Sequence, residues 1–423
     1  MERTVVELFA GVGGFRCGLN HVKEMDENGK AIEDHSWNFI WANQWEPSTK
    51  SQAAFDCYVE RFGFNSPKKD DIDNRDIANV NHKEDIPAHT LLVGGFPCQD
   101  YSVARSLSNE MGIEGKKGVL WWQIVNVLIA KHPPFVLLEN VDRLLRSPSN
   151  KRGRDFGIML KSFLELGYAV EWRVINAAEY GFPQRRRRVF IFAYHESTKY
   201  FKKMSEYSAK EIVFDEGLFA KSFEIEKEYL DSNTENISSG DIPDISDNFE
   251  FHFFNAGRMF NGDIHTYKVK ARYDDEKTTL GELLEDDFDE KYIVPHEKIQ
   301  KWKDAKGSKK IDRVKPNGEP YKFSEGSIAF PDKKDAPART MLTSEGTTNR
   351  SSHIIGVDED KDIYRILTPV ETERIQMFPD NWTNIKSKSM TERRRYFMMG
   401  NALVVGVVQK LGDYLSKIVD EED

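Results

Sequence analysis

The stretch Thr4-Val5-Val6-Glu7-Leu8-Phe9-Ala10-Gly11-Val12-Gly13-Gly14-Phe15 decides the fold. An apolar run of strand length breaks into small residues and resumes as a helix start, the order met at the first strand-turn-helix unit of a nucleotide-binding α/β sheet. Small residues let the backbone turn closely around a nucleotide-like ligand and leave the N–H groups of the next helix facing it. The spacing is not Gly-x-Gly-x-x-Gly, so a glycine-rich bend in an ordinary hydrolase or structural α/β domain fits these residues equally. Phe9 can stack on an adenine or serve as a core aromatic.

Outward from this stretch, the runs Asn38–Ala42, Leu91–Gly94, Phe135–Leu138, Tyr168–Ile175 and Val189–Tyr194 read as strands, and Ser48–Phe62 and Val119–Ala130 as helices. Near-continuous Val, Leu and Ile in short runs indicates strands buried on both faces, hence a mostly parallel sheet between helices over residues 1–195. From 196 to 355 the cadence is lost, and a Ser/Asn/Asp/Gly-rich interval around 231–249 reads as the flexible entrance to a second domain, with a short strand near Thr266–Val269. Residues 356–423 regain helical pattern at Pro369–Met377 and Ser389–Met399, with an apolar segment at Ala402–Val408, and are expected to complete the first domain.

With 423 residues, 39% hydrophobic, the chain can build a sizeable core, which excludes a disordered chain or a stapled miniprotein. Its first twenty residues have neither a signal peptide's arrangement nor a membrane span's length, so a cytoplasmic protein without membrane contact is expected. Cys17, Cys57 and Cys98 are too few and too scattered for a disulfide framework or a metal cluster, and no HExxH occurs, so no metal is expected. The net charge of −10 hides an uneven distribution: residues 291–350 hold 14 Lys/Arg against 8 Asp/Glu, enough to attract phosphate locally.

Chemistry-bearing residues cluster at the strand exits. Glu46, after the second strand, can accept from both ribose hydroxyls or cap a helix. Asp76, followed by Ile77, is a weaker candidate for an adenine amine. Cys98, in Phe96-Pro97-Cys98-Gln99, follows the third strand as either a cleft nucleophile or a buried structural thiol. Glu139-Asn140-Val141 ends the next strand, and parallel strands bring such exits to one sheet edge, although a salt-bridged acid and a turn-forming Asn account for the pair equally. In Gln184-Arg185-Arg186-Arg187-Arg188, extended backbone puts Arg186 and Arg188 on one face and leaves their neighbours exposed; a plain surface charge patch is the alternative.

Taken in order, these segments closely resemble the DNA cytosine-C5 methyltransferases, especially the bacterial modification enzymes. Phe9–Phe15 matches the cofactor loop, Pro97-Cys98-Gln99 the catalytic loop, Glu139-Asn140-Val141 the acidic motif, and Gln184, Arg186 and Arg188 the characteristic positions of the glutamine-arginine motif. Arg365–Glu371 with Arg374 and Gln376–Pro379 resembles the segment supporting target recognition, and Gly400-Asn401-Ala402-Leu403 the final cofactor-side motif. The resemblance spans roughly 1–195 and 360–415, with Met377 where glycine is frequent and Ala402 where serine is frequent.

The resemblance implies an S-adenosylmethionine-dependent methyltransferase fold with a smaller target-recognition domain. It implies S-adenosylmethionine bound near Phe9, Gly11, Gly13, Glu46, Asp76, Ile77 and Asn401, and double-stranded DNA as substrate. Cys98 would attack C6 of a flipped cytosine, Glu139 would hydrogen-bond or transiently protonate N3, Asn140 would hold the loop geometry, Arg188 would contact the base O2, and Arg186 would support the cysteine or its phosphate-bearing strand. Ser102–Lys117 would close as a lid, with Gln99 entering the vacated base space and Ser102 also meeting DNA. In the recognition domain, Lys301, Lys303 and Lys306 are expected on phosphates with Trp302 as an apolar brace, and Ser344–Ser351, including Arg350, as a more selective polar edge. A monomer is expected, functionally paired with a separate restriction endonuclease. Methylation of RNA cytosines and a catalytically inactive DNA-binding module are the competing readings; methyl transfer to defined DNA separates them.

Overall fold

Alternation within the short apolar runs sorts their side chains onto two covered faces. In β1 (Thr4–Leu8), β4 (Leu91–Gly95) and β5 (Phe135–Val141), Val5, Leu91, Val93, Phe135 and Leu137 enter one core, while Val6, Leu8, Leu92, Val136 and Leu138 enter the other. Helix α1 (Gly14–Leu19) and the C-terminal helix Val405–Asp420 cover the first face. Behind the first turn, α2 (Ala53–Phe62) packs Cys57, Tyr58 and Phe62 into a third cluster with Trp382. Helices α3 (Leu120–Lys131) and α4 (Arg154–Glu165) cover the second face. The structure is a computed structural model describing residues 1–47, 49, 51–63, 71–96, 120–314 and 318–423.

The remaining strands of the central sheet are β2 (Asn38–Asn43), β3 (Ile72–Asp73), β6 (Tyr168–Asn176), β7 (Arg187–His195), β8 (Asp231–Asn236), β9 (Ala256–Phe260) and β10 (Asp263–Lys268). Their order is β3-β2-β1-β4-β5-β7-β6-β9-β10-β8. Pairing is parallel from β3 through β5 and antiparallel from β5 onward. Two consequences position the site. The connection reverses at β1, between β2 and β4, which opens a crevice at the carboxyl ends of these strands. Because β7 runs against β5, with Arg188 opposite Val141, the start of β7 lies at that same edge.

The sheet does not stop at residue 195. β8, β9 and β10 extend it, and the interval expected to be a flexible entrance contains β8 and a capped helix, Ile242–Asn248, whose Ile242 and Ile245 join the core under α3 and α4 together with Ile237 and Phe249. Its apolar residues are spaced singly among polar ones, so composition conceals them. Outside the sheet, helix His296–Lys306 and segments near 354 and 364 enclose a small core of Val294, Ile299, Trp302, Ile354 and Tyr364. A hairpin pairing Lys309–Val314 with Pro320–Glu325 projects from this unit. Among the described residues no helix is long and apolar enough to cross a membrane.

Candidate active site

A cleft of about 540 Å³ lies at the carboxyl edge of the sheet, lined from the exits of β1, β2, β4 and β5, the start of β7, and the turn after helix Glu392–Asn401. At its first end, Phe9 leaves β1 in the left-handed region (φ 54°), a conformation that bulky side chains rarely adopt and that tends to be retained where function requires it. Gly11 follows at φ 56°, and a Cβ placed there would meet no atom within 4 Å, so its bare backbone faces open space. The turn is held from outside: Gly11 N–H donates to Gln44 Oε1 (2.7 Å) and Trp382 Nε1–H donates to the Val12 carbonyl (2.9 Å). Gln44 and Trp382 carry no motif signal; only their place, at the β2 exit and on a distant loop, reveals the role.

Glu46 lines the same end and reaches the start of α2, where its Oε2 accepts weakly from Ala54 N–H (3.4 Å). The helix-start reading of Glu46 has this contact behind it, and its carboxylate is also on the cleft lining. Burial pushes its carboxyl above the ordinary range, opposed by the N–H groups of Ala54 and Ala53. Asn401, Ala402 and Leu403 also line the cleft, with Leu403 packed against Gly14, and Trp45 and Phe397 are exposed on its lining.

At the second end, Glu139 and Arg188 form an ion pair (Oε1 to Nε, 2.8 Å), both largely shielded yet on the cleft wall. Asn140 is buried behind them. Its Nδ2 donates to the Phe96 carbonyl (2.9 Å) and its Oδ1 accepts from Val141 N–H (2.8 Å), which ties the β5 exit to the residue that leads into Pro97 and Cys98. Arg186, also buried, donates to the carbonyls of Met341 (3.1 Å) and Gly400 (3.2 Å), and burial beside Arg188 pushes its guanidinium down to about 9. Arg185 and Arg187 are exposed, as the alternation requires. Gln184 fixes the start of this strand, accepting from Met341 N–H (3.0 Å) and donating to the Ile375 carbonyl (3.4 Å). Cys98, Gln99, Ser102 and the expected lid lie outside the described residues. The two other cysteines are fully buried, with thiols raised by that burial, Cys57 to about 12 and Cys17 well above its ordinary value. Neither lines the cleft.

An acid-arginine pair beside a glycine-edged crevice is one finding; sequence comparison supplies the other. The profile described as C-5 cytosine-specific DNA methylase matches residues 3–417. The chain belongs to this family. The methylase is 50% identical over 417 residues to the Type II methyltransferase M.Sau3AI of Staphylococcus aureus, covering 98% of this chain and 95% of that one. It is 30% identical over 189 residues to the Type II methyltransferase M.HhaI of Haemophilus parahaemolyticus, covering 45% and 48% of the two chains. The solved structure of S. pombe Dnmt2 methyltransferase shares the fold, with a TM-score of 0.57 at 14% identity and 99% coverage of both chains. The protein is a DNA cytosine-C5 methyltransferase.

Several expected site residues of the methylase are engaged elsewhere. A Cβ on Gly13 (φ 88°) would lie 2.4 Å from the Phe62 ring, so this glycine serves the packing of α2 and does not line the cleft. Asp76 and Ile77 are also absent from the lining: Asp76 accepts from Ala78 N–H (3.1 Å) and caps a short turn, and Ile77 is buried. Lys306 is no phosphate contact; it is buried, pairs with Asp332 (3.4 Å) and donates to the Ser352 carbonyl. Arg350 donates to the Gly307 (2.6 Å) and Gly326 carbonyls and pairs with Glu325 (3.4 Å), which commits its guanidinium to the fold. Lys303 pairs with Asp362 (3.1 Å), whereas Lys301 is exposed with no partner among the described residues. Trp302, expected as an apolar brace on DNA, is core. Within the edge Ser344–Ser351 the Asn349 side chain is taken up locally, donating to Ser344, Thr347 and Ser352 and accepting from the Ser351 and Ser352 N–H groups.

Proposed function

We propose that the methylase uses S-adenosylmethionine to methylate C5 of a cytosine flipped out of a specific double-stranded sequence, in the cytoplasm of a bacterium that carries a matching restriction endonuclease. The observation that carries this reading is the convergence on one cleft of the Glu139–Arg188 pair and the Phe9–Gly11–Glu46 pocket, with Asn140 holding the residue before Pro97-Cys98. The pocket suits the cofactor: bare backbone at Gly11 admits a close ligand, and Glu46 on the cleft lining offers a carboxylate that would accept from ribose hydroxyls. Phe9 supplies an aromatic face for adenine, and Asn401 also lines the cleft. S-adenosylmethionine supplies an electrophilic sulfonium methyl.

The chain's own residues make cytosine reactive. C5 is a poor nucleophile in the free base. Addition of the Cys98 thiolate to C6, with Glu139 holding or protonating N3 and Arg188 holding O2, moves electron density to C5. After methylation, loss of the C5 proton to water expels Cys98 and restores the ring. Extrahelical access costs a few kcal/mol of unstacking, which contacts to the flipped base offset. The 50% identity to a Type II methyltransferase along nearly the whole chain supports the pairing with a restriction enzyme. Labelled methyl transfer to duplex DNA and to RNA hairpins, with modified positions mapped by sequencing, tests the reading. Incorporation at cytosine C5 of one duplex sequence is expected; incorporation into RNA alone overturns it.

A further inference from the structure

The hairpin Lys309–Val314 with Pro320–Glu325 is an unusual element to leave uncovered. Every residue of its first strand is exposed, and in the second only Phe323 and Glu325 are partly covered. Isolated two-stranded ribbons are at best marginally stable in water, and this one also exposes Ile311, Val314 and Tyr321. Its register sorts the side chains into two faces. Ile311 opposite Phe323 and Arg313 opposite Tyr321 form one, on which the Arg313 guanidinium lies 4.1 Å over the Phe323 ring. Lys310 opposite Ser324 and Asp312 opposite Lys322 form the other, which is fully exposed.

We infer that this ribbon is the element that reads sequence, entering the major groove beside the target cytosine with the Lys310–Asp312–Lys322–Ser324 face toward base edges. The inference rests on the DNA-methylating reading above. Charge selects the occupant: in a chain of net charge −10, Lys309, Lys310 and Lys322 make no ion pair among the described residues, and Glu325 is engaged by Arg350. A two-stranded ribbon fits the major groove. Asp312 is the informative residue. A carboxylate on a phosphate-seeking surface is repelled unless it accepts from an exocyclic amine, and the cytosine N4 amino group is the major-groove donor that suits it. The ribbon is also coupled to the cleft. Arg350 grips the carbonyls at its two roots, Gly307 and Gly326, and the segment before Arg350 runs back to Met341, whose carbonyl accepts from Arg186. Gly400, on the cleft wall, packs so closely against Leu342 and Thr343 that no Cβ fits. A contact at the ribbon therefore bears on the backbone that holds Arg186.

The test is methylation of a duplex library randomised around cytosine, read by sequencing, for the native protein, Asp312→Asn, Lys322→Gln, and the double variant Lys309→Ala/Lys310→Ala. Asp312→Asn should lose discrimination at one C·G pair by about tenfold to a hundredfold, and Lys322→Gln should relax a neighbouring position. The double lysine variant should bind all duplexes more weakly, with a shallower salt dependence and unchanged preference. Native preference in both Asp312→Asn and Lys322→Gln, with thermal melting confirming the fold, overturns the inference and leaves the ribbon to a protein partner. If the native protein methylates no duplex in the library, the DNA-methylating reading falls, and this inference with it.

Discussion

Asn140 offers the most quantitative handle on how the fold holds the catalytic segment. Its carboxamide makes two hydrogen bonds, donating to the Phe96 carbonyl at 2.9 Å and accepting from Val141 N–H at 2.8 Å, with both Asn140 and Phe96 buried. Asn140→Asp keeps the acceptor for Val141 but has no donor for Phe96; Asn140→Ala removes both. A buried carbonyl left unpaired costs about 1–3 kcal/mol. Phe96 directly precedes Pro97-Cys98, so this loosening falls on the position of the attacking sulfur. Expressed wholly in the barrier, it slows turnover by about fivefold to a hundredfold or slightly more. Single-turnover methyl transfer at saturating duplex and cofactor measures it, with calorimetric cofactor affinity and thermal melting as controls. Both variants should be slow, and Asn140→Asp at least as slow as Asn140→Ala. Native turnover in a folded Asn140→Asp protein refutes the assignment.

The two glycines of the first turn should respond differently to alanine. Gly13→Ala meets both the left-handed backbone cost, about 1–2 kcal/mol, and the Phe62 ring at 2.4 Å, so chemical denaturation should show the larger stability loss. Gly11→Ala carries the same left-handed backbone cost but has no such neighbour, so its stability loss should be the smaller and should come with weakened cofactor binding. Because burial raises the carboxyl of Glu46, lowering the pH should protonate it earlier than an ordinary glutamate; cofactor affinity should therefore fall on the acid side, and Glu46→Gln should bind weakly and lose that pH dependence in calorimetry. Glu371 holds Arg365 in a buried pair (2.6 Å), so Glu371→Ala should lower unfolding free energy by about 3–5 kcal/mol through the stranded charge. An unaltered denaturation midpoint would count against that role.

Much of the sheet was legible because strands buried on both faces leave unbroken apolar runs: Leu91–Gly94 was read against an observed Leu91–Gly95. Helix α4 gives no unbroken apolar run because polar residues interrupt its apolar stripe, and the C-terminal helix extends to Asp420, well beyond the apolar segment Ala402–Val408. At the site, the exits of β1, β2 and β5 and the alternation of Arg186 with Arg188 followed from chain direction alone. Lys306 and Arg350 did not, because their partners, Asp332 and the carbonyls of Gly307 and Gly326, are distant in sequence and a buried ammonium looks the same as a free one in one dimension. Met377, noted for standing where glycine is frequent, does adopt a left-handed backbone (φ 64°), with its sulfur packed toward Gly406. That substitution was visible in the sequence; the conformation it tolerates was not.

The central claim is that Cys98 sulfur bonds to cytosine. A duplex carrying 5-fluorocytosine at the methylated position tests it most directly, because fluorine at C5 blocks the proton loss that releases the enzyme. With S-adenosylmethionine, the native protein should form a stable one-to-one adduct in intact-mass analysis, containing the transferred methyl and mapping to Cys98, while Cys98→Ala should bind the duplex without forming one. Efficient C5 methylation by folded Cys98→Ala, or an adduct mapping to the buried Cys17 or Cys57, would contradict the account.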